Sequence, residues 1–95
     1  MNMSGLNCLG YQRITPAATA TGLTIPAGTV MAMITPETQD IRWRADGTDP
    51  TASVGYPLPV GAELTCDTSN LPRWKCIDQT LGAVVNVMYF GEKTL

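Results

Sequence analysis

Seven prolines and nine glycines, with threonines scattered between them, cut this 95-residue chain into pieces too short for helices. No window sustains an apolar period of ~3.6 residues over helical length. Each proline also fixes φ and removes a backbone donor. What lies between the breaks is strand-length and rich in β-branched residues, Thr above all. The chain therefore reads as all-β.

The clearest strand is Thr29–Thr35, opened by the turn Pro26-Ala27-Gly28 and expected to stop at Pro36. Asp40–Arg44 alternates strictly, with Ile41 and Trp43 on one face and Arg42 and Arg44 on the other. Residues Ala45–Pro50 must turn, because Asp46-Gly47 suits positive φ and Pro50 cannot donate to a ladder. Val54–Leu58, between prolines, suits a sheet edge. Ala62–Cys66, Arg73–Ile77 and Ala83–Phe90 follow, with room for one helical turn near Asn70-Leu71-Pro72. Ala17–Ile25 reads as a further Thr-rich strand, and Tyr11–Ile14 as another that pairs. Seven or eight short strands at this spacing predict a small antiparallel β-sandwich, jelly-roll-like. The uncharged residues 1–10 read as an N-terminal arm, and residues 11–95 as the single domain.

Two strands break the rule that a sandwich buries one face of each sheet. Around Met31, the residues Val30, Ala32 and Ile34 share one face, while Met31 and Met33 take the other. In the last strand Val85, Val87 and Tyr89 oppose Val84, Met88 and Phe90, with Asn86 the one polar interruption. Something must cover the outer apolar face. Either a loop or the arm folds over it, or a partner subunit does, and methionine suits such adaptable contacts.

Composition narrows the chemistry. The chain has no histidine, which excludes Ser-His-Asp and Cys-His catalysis and imidazole-bound metals. Charged residues make up 15% and the formal net charge is −2, so there is no broad basic field for phosphate or anionic lipid. The N-terminus has no basic stretch or signal-length apolar run, and nothing approaches the ~20 apolar residues of a membrane helix. Cys8, Cys66 and Cys76 are an odd set without CxxC spacing. They are expected to be reduced, although a Cys66–Cys76 bridge stays open if their segments lie side by side. Asp46-Gly47-Thr48 inverts the order of an aspartic-protease motif and has no second copy, so a turn is expected. Asp40, Asp46 and Asp49 fit no calcium loop. Gly5, Gly10 and Gly22 make no phosphate-binding pattern. Arg42, Arg44, Arg73 and Lys75 flank Trp43 and Trp74. Such a stripe could be imagined to bind nucleic acid, but alternation turns the tryptophans toward the core. Pairing with acids such as Glu37, Glu63 or Asp78 is expected instead.

The segment from Ile41 to Leu58 joins an Arg-Trp-Arg strand, an Asp-Gly-Thr turn, Pro-Thr-Ala and a Gly-x-Pro-Leu piece. With Ile25-Pro26-Ala27-Gly28 before it and Val85-Asn86-Val87-Met88-Tyr89-Phe90-Gly91 after it, this pattern resembles small virion proteins of tailed bacteriophages. The resemblance spans roughly residues 25–91. It implies an all-β, jelly-roll-like module on the virion, most like a capsid decoration (cement) protein, with no catalytic residue, cofactor or metal to transfer.

On that reading the partner is the major capsid protein, the location is the outer surface of the head, and a cyclic homo-trimer suits a three-fold position. No direct contact with nucleic acid or membrane is expected. Candidate contact residues are Leu6 and Leu9 in the arm, Met31, Met33, Met88 and Phe90 on the outer face, and Arg42 and Arg44. Trp43, Asp46, Gly47, Trp74, Val85 and Val87 are expected to be structural. The alternatives are a tail, baseplate or head–tail adaptor component, and a host-glycan-binding jelly roll using Trp43, Trp74 or Tyr56.

Overall fold

A computed structural model describes residues 5–92. Eight strands form: β1 (Leu6–Ile14), β2 (Thr21–Gly22), β3 (Thr29–Glu37), β4 (Ile41–Arg44), β5 (Tyr56–Leu58), β6 (Leu64–Asp67), β7 (Lys75–Asp78) and β8 (Val84–Glu92). A single 3-10 turn, Leu71–Arg73, lies before β7. The strands make two antiparallel four-stranded sheets, ordered β1-β8-β3-β6 and β2-β7-β4-β5. The pairs β1–β8, β2–β7, β3–β6 and β4–β5 are nested like one long hairpin. Rolling that hairpin up adds the contacts β3–β8 and β4–β7. This is jelly-roll winding, so the expected fold class holds.

Inner-face residues from both sheets make one core. Ala32, Ile34, Ile41, Trp74, Cys76, Val85 and Val87 have no measurable exposure, and Tyr89 has 1%. Trp43 packs against this cluster only half-buried, so it is Trp74 that occupies the centre. Their rings stack with centroids 6.2 Å apart, and Tyr56 tilts against Trp43 at 5.5 Å. Among the described residues neither indole N–H has a hydrogen-bond partner.

Three local expectations are corrected. The arm is the first: Leu6–Gly10 form the first half of β1 and pair with Tyr89–Glu92, while residues 1–4 of the expected arm lie outside the described residues. The second is the stop at Pro36, because β3 runs on to Glu37. The Pro36 carbonyl accepts the Gly61 amide at 3.0 Å, so its backbone polar groups point away from β8. The missing N–H therefore costs no β3–β8 ladder bond.

The third is the Thr-rich strand Ala17–Ile25, of which only Thr21–Gly22 pairs. Ala17 and Ala18 take φ values of 52° and 63° and turn the chain instead. That turn is held by Asp78, only 3% exposed, whose carboxylate accepts the amides of Ala18 at 2.9 Å and Gly82 at 3.1 Å. An alanine pair carries no turn signature, so sequence alone points to a strand there.

The Asp46-Gly47 turn forms as expected, with Gly47 at φ 87° and Asp46 accepting the Thr48 amide. It belongs to the long connection 45–55 between β4 and β5. Gly91 meets a different demand, that of close approach. A methyl group there would lie 2.7 Å from the Gly28 carbonyl oxygen and 2.6 Å from Leu9 Cδ1.

Candidate interaction surface

The outer face of β1-β8-β3-β6 is built in rows set by the strand register. Cys8, Phe90, Met31 and Asp67 form one row, and Tyr11, Met88, Met33 and Thr65 the next. Arg13, Asn86 and Thr35 form the third. The rows differ sharply in exposure. Met31 (1%) and Phe90 (8%) are buried, so as contact residues they are corrected: within the folded chain they are not available. Met88 is 42% exposed, Tyr11 59%, and Met33 half-buried. The apolar outer face is therefore closed at one end and open at the other.

At the open end Tyr11, Met33, Met88 and Glu63 rim a depression of about 150 Å³. One side is polar and fixed. The Tyr11 hydroxyl donates to Asn86 Oδ1, and Asn86 Nδ2 donates to Glu37 Oε1 at 2.8 Å. Asn86, which interrupts the apolar pattern in sequence, thus ties β1, β8 and β3 together across their solvent face. Its role is invisible without the register. Tyr11 was not singled out by sequence either, since the strand that carries it was expected to begin there rather than cross the sheet.

Leu6 is half-buried beside Glu92 in the β1–β8 ladder. Leu9 sits at a bulge between Cys8 and Gly10, and its side chain lies over Gly91 despite 40% exposure.

Arg42 and Arg44 do not join this surface. They stand on the outer face of the other sheet, in register with Ile77 and Lys75. The Arg42 guanidinium is spent internally, donating to the carbonyls of Ala52 (3.2 Å) and Gly55 (2.8 Å), and so organises the 50–55 loop. Arg44 forks onto Asp46 at 2.5 and 3.0 Å, and Lys75 meets Asp49 at 3.0 Å. Hydrogen bonding from Arg44 holds the Asp46 carboxyl down at about 2, and the same pair raises Arg44. Of the four cations, Arg44 and Lys75 pair with turn aspartates, not with the expected Glu37, Glu63 or Asp78, and Arg42 is taken up by carbonyls.

A wider cleft of about 480 Å³ lies where β6 faces the end of β4, lined by Trp43, Ala45, Leu64, Thr65, Cys66, Asp67 and Asn70. Asp67 is already engaged there by Ser69 and Asn70. Cys66 and Cys76 are buried free thiols, one on each sheet, and Cys8 is exposed. Burial pushes the Cys76 thiol up to about 12 and raises Cys66 as well, so neither is poised as a nucleophile. Among the described residues no three Cys, Asp or Glu side chains gather as metal ligands. Asp40, Asp46 and Asp49 are each committed elsewhere, Asp40 to the Val60 amide.

Comparison with family models, curated proteins and solved structures returns no significant match to this chain.

Proposed function

We propose that this chain is a structural protein of a tailed-phage virion, a decoration (cement) protein that seats on the head shell. The observation that carries the reading is the open Tyr11–Met88–Met33 row. It is an apolar strip across three strands of one sheet, edged by a fixed polar chain and left open by the described residues. Such an edge-and-floor arrangement suits an interface with an apolar centre and a polar rim.

The segment that resembles phage virion proteins supports the same reading. Residues 41–58 form β4, β5 and a loop clamped by Arg42. The partner on this reading is the major capsid protein. Binding the assembled lattice but not dissociated subunits stabilises the shell by mass action, and repetition over many sites makes modest contacts sufficient.

The test is binding of the purified protein to expanded capsids. Saturation at a stoichiometry matching the shell lattice, with a raised capsid rupture temperature, supports the reading. The double variant Met33→Asp/Met88→Asp should fold yet lose binding. Capsids that rupture at the same temperature with and without the protein overturn the role. A copy number matching a single ring on the tail axis reassigns it to an adaptor.

A further inference from the structure

Among the described residues the four edge strands of the two sheets are very unequal. The edge strand β2 has two residues, β5 has three including Pro57, and β6 has four ending in Asp67. Short length, proline and charge are the usual means by which edges avoid pairing. Strand β1 has nine residues, no proline and one charge, Arg13, and its one edge device is the bulge between Cys8 and Gly10. Among the described residues its backbone makes no backbone hydrogen bond beyond the ladder with β8. Its amides and carbonyls on the side away from β8, apart from the Gly10 carbonyl that accepts the Cys8 thiol at 3.7 Å, can take another extended strand.

We propose that β1 pairs antiparallel with β1 of a second copy, about a two-fold axis between Leu9 and Gly10, merging two four-stranded sheets into one of eight. The face pattern of the strand supports this register. Through the bulge at Cys8/Gly10, the residues on the outer face are Leu6, Cys8, Tyr11 and Arg13, in register with Glu92, Phe90, Met88 and Asn86. Reversing the strand about its Leu9–Gly10 midpoint maps that set onto itself. Cys8 then faces Tyr11 of the second copy, and Leu6 faces Arg13 of the second copy.

Two consequences favour the pairing. The exposed Cys8, at the end of the row whose Met31 and Phe90 are already buried, meets the open Tyr11–Met88–Met33 row of the second copy. Arg13 of the second copy also arrives beside Leu6, whose ladder partner is Glu92, so opposite charges share a face and no like charges oppose each other.

The occupant is a second copy because only β1 matches β1 in length. Pairing with any other edge of this chain would satisfy at most four residues. An isologous contact consumes both long edges and closes at two subunits. For contacts made through strand edges, this replaces the three-fold arrangement expected from shell symmetry. It stands independently of the virion reading.

The experiment is sedimentation of the full chain over a range of concentrations, with cysteine cross-linking to fix the register. The wild type should be a dimer. Cys8→Lys, shown to be folded by its thermal transition, should sediment as a monomer. Under oxidised glutathione, Tyr11→Cys should trap a covalent dimer through Cys8 of each chain, whereas Arg13→Cys should not. A wild type that is monomeric or trimeric throughout overturns the proposal. So does a dimer indifferent to Cys8→Lys, or equal cross-linking by the two cysteine variants. Protection of β1 amides from exchange only on capsids, with a monomer in solution, would give the edge to a shell strand instead.

Discussion

The phenol of Tyr89 donates to Gln12 Oε1 at 2.5 Å, and the same oxygen accepts the Thr24 amide at 3.0 Å. One side chain on β1 thereby joins β8 to the segment that leads away from β2 and its sheet. Gln12→Ala leaves a nearly buried hydroxyl and an amide without this acceptor. It should destabilise the domain by about 1–3 kcal/mol in chemical denaturation, and Tyr89→Phe should cost less because it removes the orphaned group itself.

The same tyrosine gives the fold an alkaline limit. Burial pushes its phenol up to about 12, with the Thr24 amide partly opposing. A group whose value is raised on folding contributes its full stability below the unfolded value, near 10, and loses it as pH rises toward 12. Melting temperature should fall over that window in the wild type and fall less in Tyr89→Phe.

At the acid end the sign is reversed. Asp46 is held at about 2 by Arg44, so its contribution is present above the unfolded value, near 4, and fades between pH 4 and 2. The pair is solvent-exposed, so the effect should be small and weakened by salt. Comparing acid titrations of Asp46→Asn and wild type at low and high ionic strength checks it.

Asp78 should be among the least replaceable polar residues. Its alanine variant strands the amides of Ala18 and Gly82, at a cost of about 2–5 kcal/mol for the two together. Asp78→Asn, which keeps an acceptor oxygen, should fall between alanine and wild type in the same denaturation series.

The two tryptophans should separate. Trp74→Ala empties the centre of the core and should cost about 3–5 kcal/mol. Trp43→Ala, at the half-buried margin, should cost about 1–3 kcal/mol. Equal losses would mean that Trp43 is as central as its alternation with Arg42 and Arg44 implied.

Deleting residues 1–10 strips half of β1 and uncovers the Tyr89–Glu92 stretch of β8. The truncated protein should melt well below the full chain, whereas a free arm could be removed without thermal cost.

The strands around Met31, Trp43, Trp74 and Val87 were legible because strand periodicity is local. Alternation, β-branching and the Asp46-Gly47 turn act within a few residues, and they specify an all-β chain of about this strand count. Pairing is not local. That Leu6–Gly10 is a strand depends on β8, far away in the chain, offering an edge. That Ala17-Ala18 turns depends on a buried carboxylate at Asp78.

The interaction surface divided in the same way. Sequence determined that Met31, Met33, Met88 and Phe90 share the outer side of their strands, since side chains alternate at every residue. Only the tertiary structure decided that Met31 and Phe90 are buried while Met33, Met88 and Tyr11 form the open row, and that Arg42 and Arg44 lie on the opposite sheet. Which side of a strand a residue takes is set by its own backbone. What covers that side is set by whichever distant segment the winding of the sheets brings near it.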